Sequence, residues 1–183
     1  MSQVNALDLR KGNLVQYQGR LCWVNTWNIL RNDRRQFVQL TLKDLATGRM
    51  TELKEHSDSR FELIETSQVD LSHSYTEGPE EVFYTAEGEE YRCPVEAAAD
   101  ALKWECEAYR GFLADGRLVT VGTPTSVIGT VAETGPVIKG VSSGTKDALL
   151  SNGVKVKVGQ LVQTGDRVRL DADSLEFRER ITS

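Results

Sequence analysis

Apolar and polar residues alternate every second position along most of this chain, and the period lengthens clearly only once. In "LVQYQGRLCWVNTWNI", Leu14 and Gln16 alternate with Val15 and Tyr17, "QGR" reads as a turn, and a second apolar run follows. In "FVQLTLKDL", Val38, Leu40 and Leu42 share one face while Gln39, Thr41 and Lys43 share the other. Period two carried by β-branched and aromatic residues predicts strands. "ATGR" predicts the next turn, and Asn32 with Asp33 reads as the turn between the two longest runs. The first third of the chain is therefore expected to be a small all-β unit.

Further on, "SQVDLSHSYT" and "EEVFYTAEG" are again strand-like. Val95, Ala98, Ala99, Leu102 and Cys106 then fall at helical spacing, with Pro94 suited to a helix start. "YRGFLADGRLVTVG" predicts strand, Asp-Gly turn and strand. The acidic pairs Glu80–Glu81 and Glu89–Glu90 read as solvated faces, because no apolar pocket or electrophile accompanies them. The last third offers strands at "TSVIGTVAE", "NGVKVKVGQLV", "DRVRLDAD" and "EFRERIT", punctuated by Gly- and Asp-rich turns. About five short strands in about 55 residues suit a small closed barrel such as an OB-fold.

Composition changes this picture little. The chain has 183 residues, 39% hydrophobic and 27% charged, as soluble globular proteins do. No apolar run approaches the roughly 20 residues that span a bilayer. "MSQVNALDLRKGN" lacks the apolar centre of a secretory signal, so a cytoplasmic location with no membrane partner is expected. Cys22, Cys93 and Cys106 are odd in number and lack CxxC spacing, which argues against a disulfide framework or a zinc site. They read as small apolar residues in or near a core.

Charge changes more. The net charge of −5 is distributed as +3 over residues 1–63, −9 over 64–127 and +1 over 128–183. These cuts coincide with the changes of pattern and set the expected domains. Overall acidity argues against non-specific nucleic-acid binding, whereas a basic end on an acidic middle is able to dock one end on a phosphate backbone. The densest basic run, "NILRNDRRQF", holds Arg31, Arg34 and Arg35 at the tip of the expected hairpin. Arms of about seven residues would extend about 23 Å and carry those side chains well beyond a small barrel.

Residues 139–165, "KGVSSGTKDALLSNGVKVKVGQLVQTG", resemble the C-terminal signature of the bacterial elongation factor P family. Lys146, Ala148, Gly153, Val156, Val158, Val162 and Gly165 fit its pattern, while Gly159 stands where the family usually has proline. "LRKGNLVQYQGRLCWV", "LKDLATG", "ALKW" and "ETGPVIKG" extend the resemblance over essentially the whole chain. It implies an N-terminal SH3-like barrel of the KOW type (1–63) followed by two OB-fold barrels (64–127 and 128–183), all-β, arranged in an L that resembles tRNA in outline.

The same resemblance implies binding to the ribosome between the P and E sites. The N-terminal hairpin would reach the acceptor end of P-site tRNA and promote peptide-bond formation at consecutive prolines. It further implies a monomer without a cofactor, and a modifying enzyme acting on the tip. In many members the tip residue is an extended lysine and in others an arginine carrying a sugar. This chain has no lysine between Arg20 and Lys43, and so resembles the non-lysine, arginine-type members or a paralogue. Counting from the preceding strand places Arg34 at the modified position. The loop is one residue shorter before Phe37 than the common lysine form, which leaves Arg35 as the alternative. Asn32-Asp33 replaces the usual Pro-Gly or Ser-Gly.

Arg31, Arg34 and Arg35 are the candidate tRNA contacts, since guanidinium groups bind phosphate in bidentate fashion and stack on bases. Lys139 and Lys146 are candidate RNA-backbone contacts in the last segment. A P-loop of the form GxxxxGK[ST] does not occur, so no nucleotide hydrolysis is expected. The expected activity is a non-enzymatic translation factor. The competing class, a generic OB-fold binder of RNA or single strands, would want aromatics interleaved with basic residues. The middle segment is too acidic for that, and Phe177 is the single aromatic of the last. A hydrolase using carboxylates lacks a convergent site.

Overall fold

Among the described residues, period-two alternation builds three sheets, and the fold is all-β apart from one short helix and a 3-10 turn. The structure, a computed structural model, describes residues 1–182 except Asp33, Ile138 and 141–143.

The first sheet contains β1 (Ser2–Asn5), β2 (Leu14–Tyr17), β3 (Arg20–Asn32), β4 (Arg35–Asp44), β5 (Met50–His56) and β6 (Arg60–Ile64), in the order β1-β6-β2-β3-β4-β5. Val38, Leu40 and Leu42 face inward as expected and join Ala6, Leu9, Val15, Val24 and Phe61 in one core. Asp44 closes the β4–β5 turn by accepting the backbone N–H groups of Ala46 and Thr47 and pairing with Arg20 at 3.1 Å.

The second sheet contains β7 (Ser67–Glu77), β8 (Glu80–Tyr84), β9 (Glu90–Pro94), β10 (Tyr109–Ala114) and β11 (Arg117–Gly122), in the order β11-β10-β7-β8-β9. The Asp115-Gly116 turn joins β10 to β11 as expected. Helix α1 (Val95–Leu102) starts directly after Pro94. Its buried face is Ala97, Ala98 and Ala101, not the stripe that the sequence spacing suggested; Ala99 is exposed and Cys106 lies beyond the helix. The Thr120 hydroxyl of β11 donates to the Ala97 carbonyl at 3.0 Å and ties the first turn of the helix to the second sheet.

Two positions depart from one-sided strands. Leu14 and Val15 are neighbours on opposite faces, yet both are buried. Val15 enters the first core, whereas Leu14 packs with Leu45 and Ala114 against Trp23 and Val119. Glu81 was expected on a solvated face, but it is 6% exposed. Its carboxylate accepts the Thr76 hydroxyl at 2.8 Å and lies 2.7 Å from His73 Nε2. Those partners offset the loss of water that otherwise opposes burying a carboxylate. Glu80 and Glu90 behave as expected, being partly exposed partners of Arg92.

The third sheet contains β12 (Ser126–Thr134), β13 (Thr145–Leu150), β14 (Lys155–Gly159), β15 (Arg167–Asp171) and β16 (Phe177–Ile181), in the order β14-β13-β12-β15-β16. Its edge strands β14 and β16 also lie against each other, so the sheet curls around Val127, Val131, Leu150, Val158 and Leu170. By contacts the chain divides into two compact units, Met1–Ala98 with Gly111–Val121, and Ala99–Arg110 with Gly122–Ser183. Within the second unit, Glu105 and Ile128 exchange backbone hydrogen bonds and Trp104 packs on the core.

The turn from β15 to β16 is held by one carboxylate. Asp171 accepts the backbone N–H groups of Asp173 and Ser174, both at 3.0 Å, and pairs with Arg178 at 2.7 Å. Those amides and the guanidinium hold its carboxyl far below the usual carboxylate range. A depressed folded-state value gives stability that is full above the unfolded value of about 3.9 and is lost as pH falls below it. Acid titration of the Asp171→Asn protein is therefore expected to lose less stability between about pH 4 and pH 2 than the parent, read as the shift in urea midpoint. Equal losses would show that the Asp171 carboxylate does not supply this acid sensitivity.

Candidate nucleic-acid interface

The arginine-rich hairpin is the distal end of β3 and β4. Pairing runs without interruption from Thr26↔Thr41 to Asn32↔Arg35. Asn32 is therefore a strand residue rather than part of the turn, and Asp33 lies outside the described residues. Arg34 occupies the turn just beyond the last pair. An irregularity between Val24 and Thr26 shifts the register at Asn25. Such a bulge bends the strand and decides which side chains face outward beyond it.

The base of the hairpin is fixed to the barrel. Trp27 donates its indole N–H to the Ala6 carbonyl at 2.9 Å, and the Arg10 guanidinium lies 4.4 Å from the Trp27 ring centroid. β5 accompanies β4 as far as Phe37↔His56, and Ser57 donates its N–H to the Gln36 carbonyl. The two-stranded overhang is therefore short, not the long free arm that strand lengths alone suggest. Only the pairs Arg31↔Gln36 and Asn32↔Arg35 and the turn extend past the third strand's last pair. A three-stranded support restricts the tip more than a free ribbon would.

Cross-strand partners share a face. Arg31 and Gln36 therefore lie on the same side as Ile29 and Val38, whereas Asn32 and Arg35 lie on the side of Leu30 and Phe37. The three arginines present one side chain to each face and one at the end, and all three are exposed. On the outer face Phe37 and His56 lie with ring centroids 4.7 Å apart, and the Lys54 ammonium is 4.9 Å from the Phe37 centroid. Sequence reading did not single out Phe37, His56 or Lys54. Their signal was the alternation of "TELKEH", which had not been read as a strand.

The two lysines of the last segment separate. Lys139 is exposed in a turn. Lys146 is 9% exposed and its ammonium donates to the Gly135 carbonyl at 2.7 Å, closing a strand end from within. That geometry commits Lys146 to the fold. The cysteines are not poised as nucleophiles either. Burial, then Glu81, pushes the Cys93 thiol up to about 12, and burial, then Glu105, pushes Cys106 up to about 11.

Residues 127–180 match the family model described as elongation factor P, C-terminal. The similarity continues upstream of that match. Elongation factor P of Aromatoleum aromaticum is 29% identical, covering 96% of this chain and 98% of its own. Elongation factor P of Neisseria meningitidis serogroup C is also 29% identical, again covering 96% and 98%. The chain is thus similar to elongation factor P along nearly its whole length. That similarity supports a translation factor. Among solved structures, eukaryotic translation initiation factor 5A from Methanococcus jannaschii is similar at 14% identity, covering 66% of this chain and 95% of that one, with a TM-score of 0.41.

In this chain the C-terminal segment that resembles elongation factor P is a folding device. Ala148, Val156, Val158 and Val162 are buried in the third sheet's core. Gly153 and Gly165 have φ of 85° and 91°, a region open to glycine at little cost. At Gly159, where the resemblance leads one to expect proline, a Cβ would lie 3.1 Å from Phe177 Cε1, a close approach that requires the ring to give by a few tenths of an ångström.

Proposed function

We propose that this chain binds the ribosome beside P-site tRNA and promotes peptide-bond formation at polyproline stalls, with Arg34 at the tip and Arg31 and Arg35 flanking it. Similarity to elongation factor P along nearly the whole chain supports the class of activity. The observation that carries the residue assignment is the placement of Arg34 in the turn beyond Asn32↔Arg35, braced by β5 up to Phe37↔His56. Ribosomal RNA and tRNA are densely anionic, and three guanidiniums facing two sides and the end suit phosphate and base contacts. The protein would contribute position rather than chemistry, holding the reacting ends aligned while the ribosome catalyses. In the same reading Arg34, or Arg35 in its place, is the residue a tip-modifying enzyme extends, and segments 1–63, 64–127 and 128–183 act as three domains. The basic first segment docks on RNA while the acidic middle one faces away from it.

Co-sedimentation with ribosomes tests the reading. Stoichiometric pelleting at moderate salt that weakens as salt rises is expected. Binding to free oligonucleotide with equal affinity, and no pelleting with ribosomes, would instead assign a general single-strand binder.

A further inference from the structure

The outer face of the hairpin carries a row of side chains that the tip arginines do not explain. Register places Leu30, Phe37 and His56 side by side across β3, β4 and β5. The row toward the tip is Asn32 and Arg35, and the row toward the body is Asn28, Gln39 and Lys54. These three rows contain no carboxylate; Glu52 comes one row further, opposite Thr41. Leu30 is 38% exposed and His56 is exposed. The Phe37 and His56 rings are inclined by 36°. The Lys54 ammonium rests over the phenyl ring, which shows that this ring face is turned to solvent and not to the core.

We infer that this face is a stacking site for one unpaired nucleobase of single-stranded RNA, with Phe37 and His56 as the platform and Arg35 and Lys54 on the adjoining phosphates. The inference rests on the translation-factor reading and names what the hairpin grips behind its tip. Centroids 4.7 Å apart set the His56 ring against the Phe37 ring rather than beside it in one plane, so the base takes the Phe37 face on which Lys54 rests, with His56 backing the ring. Bases present a π-face to aromatic side chains regardless of sequence, and phosphates take up the flanking cations. On binding, the flexible Lys54 side chain swings from the ring to a phosphate and leaves the ring face to the base. An acidic peptide would use the two cations but offers no flat partner for the rings, so RNA is the occupant that uses every group of the site.

The test is fluorescence anisotropy with the full chain and a labelled hexamer of alternating cytidine and adenosine, beside an abasic ribose-phosphate hexamer of equal length. Base stacking predicts that the hexamer with bases binds about 5- to 150-fold more tightly than the abasic one. Phe37→Leu and His56→Ala should each shrink that margin while leaving the salt slope unchanged. His56 is exposed, so its replacement keeps the test valid if Phe37→Leu fails to fold. Lys54→Ala should keep the margin and lower the slope of log affinity against log salt by about 0.7.

Equal binding of the two hexamers by the parent, no binding of either, an unchanged margin in both ring variants, or displacement of the RNA by hexaglutamate as readily as by unlabelled RNA would each overturn the site. Ribosome pelleting by the parent protein is measured in parallel. Pelleting without a base margin sinks the stacking site alone, and a base margin without pelleting supports the site and sinks the translation-factor reading.

Discussion

Arg34→Ala is expected to abolish relief of polyproline stalling while leaving the fold intact. The side chain is exposed and sits in the turn beyond the last cross-strand pair, so its removal should change stability by no more than about 0.5 kcal/mol. A lost charge-assisted contact to RNA weakens docking by roughly 1–3 kcal/mol. The loss of activity is larger than the loss of affinity, because misplacing reacting groups slightly is costly. Arg34→Lys restores activity only in part, since an ammonium cannot reproduce the planar guanidinium fork. The measurement is synthesis of a reporter with three consecutive prolines beside one without. Full activity of Arg34→Ala with loss in Arg35→Ala would move the functional position by one residue. Full activity of both would return the tip to an ordinary solvated turn.

The second large effect is on stability. Phe83→Ala should destabilise the protein by about 3–5 kcal/mol, a substantial part of the 5–15 kcal/mol typical of a folded domain. Phe83 is fully buried on β8, and its ring meets His73 edge-on at 5.2 Å. Val82, the next residue and on the opposite face, is also fully buried, so β8 is covered on both sides and a cavity there has little freedom to collapse. Phe83→Leu keeps most of the volume and should cost about 1–2 kcal/mol. Urea unfolding reads both, with the midpoint moving and the slope unchanged. A loss below about 1 kcal/mol for Phe83→Ala would show that the neighbours close over the space.

Most strands were legible from local pattern. Val38, Leu40 and Leu42 alternate with polar residues and are buried, and Asp115-Gly116 marks its hairpin turn, because period two and turn chemistry are properties of neighbouring residues. The C-terminal signature was legible too, and with it the likeness to elongation factor P; the structure buries its valines and bonds Lys146 to the Gly135 carbonyl.

The strand "TELKEH" was missed because charge masks its alternation: Lys54 and His56 lie outward and Leu53 inward, while Glu55, also on the inward side, interrupts the apolar face.

The sequence by itself determined an all-β chain, a basic first segment on an acidic middle one, and an arginine cluster at a hairpin turn. Only the tertiary structure decided which positions have a second neighbour. Leu14 is buried on what pattern alone would leave a solvent face, because Leu45 and Ala114 cover it. Glu81 is buried because His73 and Thr76 satisfy its carboxylate. Phe37, His56 and Lys54 meet on one face because β5 runs beside β4 as far as His56. Each of these depends on residues distant in the chain, and local period carries no information about what packs across from a strand.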